Sequence, residues 1–342
     1  MLGQQAYAKQ VKTMRINKKQ SCGFSMVELL VAMVVGLIIV SGAFSLHSTS
    51  RKAQIKSEVQ MDMVADARFA IEMIAYDLRH AGMWGGTNKD GLIDCKSTDD
   101  ACTATSSGDT PPSAMANDCA VGWYYNLSLP VFATNNDNPY EATCIPASEG
   151  YVDNTDVLEI RYANSNVPTA LLANQAYVRS NFINGRIFIG TTAPVIEAYD
   201  SDPLTLNHEL HAYTYYISDH TDTEDDGIPS LRRVSLVNSP TLQTQTLISG
   251  VVDLQVQFGL DADGDMEIDR YVDPDDVASD QWSDVYAVKI WLLMRSDEQQ
   301  EGIDTTKSFS IAGAAAADFG GQDDYRYFLV TSVVDLRNLK QL

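Results

Sequence analysis

A chain of 342 residues, 45% of them hydrophobic, has enough material for one large domain or two ordinary ones. Its net charge of −22 deepens to −27 once the first 23 residues, with five Lys/Arg and no acid, are set aside. That excludes a nucleic-acid or anionic-lipid binder, which needs clustered cations, and suits solubility, divalent cations or basic partners.

Lys18 and Lys19 precede an apolar run, residues 24–46, whose sole formal charge is Glu28. Twenty-three helical residues suffice to cross about 30 Å of hydrocarbon. The basic flank upstream places the N-terminus in the cytoplasm and the bulk outside. A secretory signal would have a shorter core and a small-x-small cleavage site after it; here "VSGAFSLHSTS" runs on into polar helix-forming sequence. From Ser48 to His80 the pattern becomes amphipathic. Ile55, Val59, Met63, Ala67, Ala70, Ile71, Ile74 and Leu78 recur at helical steps, with Lys56, Glu58, Asp62, Asp66, Arg68 and Asp77 between them. No proline interrupts 24–82 and Gly82 supplies a stop, so one continuous helix is expected, with a hinge at Gly36 or Gly42 as the alternative.

Residues 83–150 are rich in Gly, Ser, Thr, Asn, Asp and Pro and read as an irregular region. Four of the five cysteines, Cys95, Cys102, Cys119 and Cys144, fall there, while Cys22 stands apart. An even cluster on the exported side of a membrane reads as two disulfides. Zinc is disfavoured, since no pair is spaced CxxC and no histidine lies among them. Three pairings are open; Cys95–Cys102 with Cys119–Cys144 is the most local. Beyond residue 150 strands dominate: "VLEIRY", "RIFIG", "HAYTYYI", "LRRVSLV", "VVDLQVQFGL", "VYAVKIWLLMR" and "YRYFLVTSVVDL". The class is α+β, a long N-terminal helix packed on an antiparallel sheet spanning 151–342.

A carboxylate inside a membrane helix costs a few kcal/mol, which calls for a partner unless it snorkels to the nearby face. If the chain is cut between Gly23 and Phe24, the new Phe24 amine is positive, and Glu28 of one subunit can neutralise the amine of a neighbour in a helix bundle. Assembly then has a register. Elsewhere, Asp261, Asp263, Asp265, Glu267 and Asp269 alternate in "DADGDMEID" and could converge on Ca²⁺. Gly264 at loop position four and Val272 at position twelve exclude an EF-hand, and a solvated acidic turn is the competing reading. Asp222, Glu224, Asp225 and Asp226 read as a hairpin loop. His208 and His211 in "NHELH" lack the i, i+4 spacing of a zinc helix. No nucleotide or nucleophile signature survives context, and no catalytic residue or other cofactor is assigned.

Lys18-Lys19, then Gly23 followed by "FSMVE" and the long apolar helix, resembles the class III signal of type IV pilins and type II secretion pseudopilins. "DLRHAGMWGG", "YYISDHTDTEDDGIPSLRR", "GVVDLQVQFGLDADGDMEIDRYVDPDDV", "VYAVKIWLLMRS" and "VDLRN" are similar to the PilW family of minor pilins. The resemblance implies a leader over 1–23, cleavage after Gly23 by the prepilin peptidase and N-methylation of Phe24. It further implies a pilin-like fold and a non-enzymatic subunit, held in the inner membrane before it reaches the pilus and the cell surface, where pili drive twitching motility. Its partners would be other minor pilins, the major pilin and the inner-membrane assembly platform, and its role to prime assembly and remain at the tip. The alternatives are a type II secretion pseudopilin, or a membrane-anchored exported enzyme or Ca²⁺-dependent binding domain.

Overall fold

The computed structural model describes residues 23–96, 118–198, 204–237, 241–299, 308–312, 317–318 and 324–340. Chain contacts divide it into two units, 1–58 and 59–342. A single helix, α1 (Met26–His80), runs unbroken through Gly36 and Gly42, as its proline-free sequence and long-range periodicity require. Residues up to Glu58 belong to the first unit and the rest to the second.

Within the second unit, α1 buries Met63, Ala67, Ala70, Ile71, Ile74, Ala75 and Leu78, the stripe expected from helical spacing. Gly82 ends the helix in the left-handed region, φ +75°, where a Cβ would also strike Leu339. The Asn338 side chain donates to the carbonyls of Arg79 and Ala81 at 3.0 and 3.2 Å, so the C-terminal segment caps the helix end.

The strands form two main sheets where one was expected. The first joins β1 (Ile93–Asp94), β2 (Val131–Thr134), β3 (Val157–Ala163), β4 (Ala176–Ser180), β5 (Gly185–Ile189), β6 (Leu206–Ser218), β7 (Ser230–Val237) and β8 (Thr241–Ser249). All its pairs are antiparallel except β1 with β5. The second, in spatial order, is β10 (Arg270–Val272), β9 (Val251–Leu260), β11 (Val285–Arg295) and β14 (Tyr327–Asp335). A two-stranded ribbon pairs β12 (Ser308–Phe309) with β13 (Ala317–Asp318).

Alternation along the strands sends Leu158, Ile160, Tyr215 and Ile217 of the first sheet, and Leu254, Val256, Phe258, Ile290 and Leu292 of the second, into one core with the helix stripe. The opposite face of the first sheet carries Val157, Ala163, Val178 and Tyr216, covered by Trp84, Trp123, Tyr124 and Leu127 from the glycine- and cysteine-rich region. That region is therefore packed on the sheet, and it contributes β1 and β2.

Two buried carboxylates hold these layers. Asp77, a polar spacer by its sequence context, lies at 3% exposure on the sheet-facing side of α1. Its oxygens accept the hydroxyls of Tyr162 (2.7 Å) and Tyr215, and Arg233 stands 3.7 Å away. Burial raises its carboxyl above the ordinary range against the opposing pull of Tyr215, Tyr162 and Arg233.

Asp156 joins the two sheets. Its N–H donates to the Leu254 carbonyl, and its carboxylate accepts the Val256 N–H (2.7 Å) and the Asn136 N–H (2.9 Å). Beside it, Gln255 donates to Asp253, Asn136 and the Asn154 carbonyl. Burial is the main reason the Asp156 carboxyl is pushed up to about 7, with Asp253 and Asp273 adding to the rise; burial also lifts Asp253 to about 6.

Asp77→Ala strands two tyrosine hydroxyls and an arginine in the core, and should destabilise the fold by about 3 kcal/mol in urea titrations; Asp77→Asn, which keeps one acceptor, should cost about half as much. Asp156 and Asp253 bind protons more tightly folded than unfolded. Unfolding therefore releases protons between the unfolded pKa and the raised folded value. Stability should fall as pH rises from about 4, through about 6 for Asp253 and about 7 for Asp156, at up to about 1.4 kcal/mol per pH unit for each group, and level off above. Asp156→Asn should flatten that slope in denaturation curves taken across the same window.

Candidate functional sites

The helix start is built from local sequence. Ser25 and Glu28 form a reciprocal cap: the Ser25 N–H donates to Glu28 Oε2 (2.9 Å) and the Glu28 N–H to Ser25 Oγ (3.2 Å). This is the S-x-x-E capping box, which satisfies two of the N–H groups a helix N-terminus leaves unpaired and puts a negative charge at the positive end of the dipole. The pattern is written in Ser25-Met26-Val27-Glu28, and it gives Glu28 a local role that the charge-in-an-apolar-run argument does not contain. Gly23, one residue before Phe24, has no heavy atom of the described residues beyond its chain neighbours within 4 Å of where a Cβ would sit. Phe24 is 86% exposed, and Met26, Leu29, Leu30, Met33, Leu37 and Ile38 are exposed behind it. The segment is long and apolar enough to cross a membrane. Lys18, Lys19 and Cys22 lie outside the described residues.

In the cysteine region, Cys119 and Cys144 are disulfide-bonded, the more C-terminal of the two local pairs. Cys95 is also disulfide-bonded; Cys102 lies outside the described residues. The stapled segment is tied to β3 by polar groups as well. Arg161 donates from Nε to the Trp123 carbonyl and from Nη1 to the Leu129 carbonyl (2.8 Å), and pairs through Nη2 with Glu159, which accepts the Tyr140 hydroxyl. Glu159 and Arg161 are 2% and 3% exposed. Burial raises the Glu159 carboxyl, and Arg161 opposes the rise.

The acids of 261–269 occupy the loop between β9 and β10. Oxygens of Asp261, Asp263 and Asp265 lie within 4.8 Å of one another, whereas Glu267 and Asp269 are not in that group. Most of these carboxylates already serve the backbone. Asp261 accepts the N–H of Gly264 (2.7 Å) and of Met266 (2.8 Å), Asp265 that of Glu267 (2.8 Å), and Asp269 that of Ala262 (2.7 Å). Burial pushes the Asp261 carboxyl up, but the N–H donors of Met266, Gly264, Asp263 and Asp265 outweigh it and hold the group below its ordinary value. Three hard oxygen donors are close enough to share a cation, half or less of the six to eight that Ca²⁺ takes. Acids at alternate positions thus read here as successive Asx turns, which also settle Met266 at φ +69° and Gly264 at φ +83°.

His208 and His211 fall at odd separation on β6 and so point to opposite faces. His208 contacts the Asn164 carbonyl through Nδ1, and His211 stacks on Tyr162, with its pKa lowered to about 4 by burial and then by Arg233. Neither belongs to a metal group among the described residues. Asp222, Glu224, Asp225 and Asp226 lie in the β6–β7 hairpin loop, where Asp226 accepts the Ile228 N–H (2.9 Å) and the Thr221 hydroxyl.

Comparison with known proteins bears on this arrangement. The family model for type IV pilus-assembly protein W matches residues 214–338, which hold β7 to β11 and β14. The model for the prokaryotic N-terminal methylation motif matches residues 18–44, which contain the Gly23–Phe24 junction and Glu28. Among solved structures, a type IV-like pilin from Thermus thermophilus is similar at 13% identity and a TM-score of 0.26, over 57% of this chain and 82% of that one, a likeness too slight to build on. No curated protein matches. A methylation motif leading into an exposed apolar helix anchors the chain in the inner membrane before it enters a pilus. The chain is thus similar to type IV pilus-assembly protein W over residues 214–338 and carries the prokaryotic N-terminal methylation motif over residues 18–44.

Proposed function

We propose that this chain is a non-enzymatic building block, processed to begin at Phe24, that joins other minor pilins and the major pilin to prime pilus assembly and stays at the tip. Residues 1–23 are then the leader, 24–82 the helix, 83–150 the stapled region and 151–342 the sheet domain. The observation that carries the reading is the uncovered Gly23–Phe24 junction directly before a capped apolar helix, inside a match to the methylation motif. The prepilin peptidase cuts at Gly23, Phe24 is methylated, and the assembly platform extracts the subunit.

Glu28 has two roles in this account. In the single subunit it accepts the Ser25 N–H; in a bundle its charge neutralises a neighbour's Phe24 amine. Glu28→Gln separates them, since an amide oxygen still closes the capping box but carries no charge. Its membrane insertion should match wild type while co-purification with other minor pilins drops severalfold. Glu28→Ala should lose both the cap and the pairing. Mass spectrometry of the N-terminus in purified pili should find methylated Phe24, and Gly23→Leu should leave the leader attached. An intact leader in assembled pili would sink the proposal, and recovery with secretion components in place of pilus components would assign the subunit to a type II secretion pseudopilus.

The loop 261–269 supports itself through its own N–H bonds, so no resident cofactor is proposed. Thermal melts in millimolar Ca²⁺ and in chelator should coincide. A rise in Tm with Ca²⁺ that Asp263→Asn abolishes would instead establish a cation site there.

A further inference from the structure

A cavity of about 240 Å³ opens where the stapled region meets the short turn before β11 and the C-terminal segment. Pockets for drug-sized ligands run to about 300–1,000 Å³, so this one has room for a single small ring. Trp84 and Trp282 wall it, with Tyr286 beside them. Trp282 is half-buried: its ring rests on Phe132 and on Phe258, each 5.0 Å between centroids, which fixes the wall in place.

The polar groups between these rings have spare bonding capacity. Asn88 spends its amide on the Asn338 carbonyl (3.0 Å), leaving Oδ1 without a partner among the described residues. Asp284 accepts only the Ser283 hydroxyl (3.2 Å), through Oδ1, and Oδ2 is unengaged among the described residues. The Tyr286 hydroxyl has no hydrogen-bond partner among them either. Two ammonium groups close to these residues are already paired, Lys96 Nζ 3.1 Å from Asp90 and Lys340 Nζ 3.0 Å from Asp335. What remains is an aromatic wall with acceptors and one hydroxyl at its edge. A sugar ring matches that set, since it offers C–H faces to stack and hydroxyls that both donate and accept.

We propose that this cavity binds one pyranose ring, either free or at the end of a glycan chain. The ring stacks on Trp282 and its hydroxyls donate to Asn88 Oδ1 and Asp284 Oδ2. The site is independent of the helix start and of the assembly role.

The test uses the full chain in a sugar-free detergent, lauryldimethylamine oxide. N-acetylglucosamine, glucose, galactose and a chitin oligosaccharide are titrated by saturation-transfer NMR, with lysine amide as the cationic control. At least one sugar should bind saturably in the millimolar range, and tighter binding of the oligosaccharide would assign the site to a chain end. Ser283→Leu, at an exposed position that fills the mouth, and Asp284→Ala should each weaken binding about tenfold without lowering Tm. Trp282→Ala is avoided because that ring also packs in the core. No saturable sugar binding, sugar binding unchanged in both variants, or preference for lysine amide would overturn the proposal.

Discussion

The constraint on which this molecule depends is the apolar surface of the first half of α1. Fifteen large apolar side chains between Phe24 and Leu46 are exposed along α1. At roughly 1.5–3 kcal/mol for each such side chain removed from water, the whole segment represents tens of kcal/mol. Lipid supplies the first cover and neighbouring helices in a filament can supply the second. Against that sum, the few kcal/mol needed to bring one carboxylate into an apolar setting are small. A carboxylate at Glu28 therefore does not endanger insertion, and the capping bond to Ser25 gives it a partner within its own chain.

A second carboxylate on the same helix makes the opposite use of burial. Asp77 is enclosed by Tyr162, Tyr215 and Arg233, so its position along and around the helix axis is fixed by three groups from three strands. An aliphatic stripe alone would tolerate a slip of one turn at modest cost, because apolar packing has no direction. A slip that left Asp77 among aliphatic side chains would cost several kcal/mol. One carboxylate thus fixes how the helix seats on its sheet, and the other caps the start of the same helix.

Much of this was legible because it repeats. The helix and seven of the strands announced themselves through spacing, and the helix stripe from Met63 to Leu78 is buried as its period implies. The strands that escaped lack that signal. In β8, "TLQTQTLIS" lies at an edge and is half-exposed along nearly all its length, so selection for one apolar face is weak. β4 is five residues long and buried on nearly all of them, a pattern without alternation. The division into two sheets could not be read, since it depends on which strands pair. Asp77, Asp156 and Asp253 were invisible for a related reason. A single acid carries no period, and only the partners brought by distant strands show that it is buried.

The two faces of the first sheet are held by different means, and composition explains why. The helix side has enough Leu, Ile and Val to pack as an ordinary core. The other side is covered by a region rich in Gly, Ser, Asn and Asp, whose described residues form only the short strands β1 and β2 and whose buried side chains include Trp84, Trp123, Tyr124, Tyr125 and Tyr140. Such a segment loses much conformational entropy on ordering and recovers little from packing. The Cys119–Cys144 bond closes a loop of 25 residues and reduces the entropy of the unfolded chain, a contribution of about 3 kcal/mol. The Glu159–Arg161 pair contributes little net energy once desolvation is counted, but it directs donors to the Trp123 and Leu129 carbonyls and so dictates the path of the segment. Covalent closure provides stability and the buried pair provides shape. The Trp84–Trp282 cavity is bordered by this same region, and its Trp282 wall is held by Phe132 and Phe258.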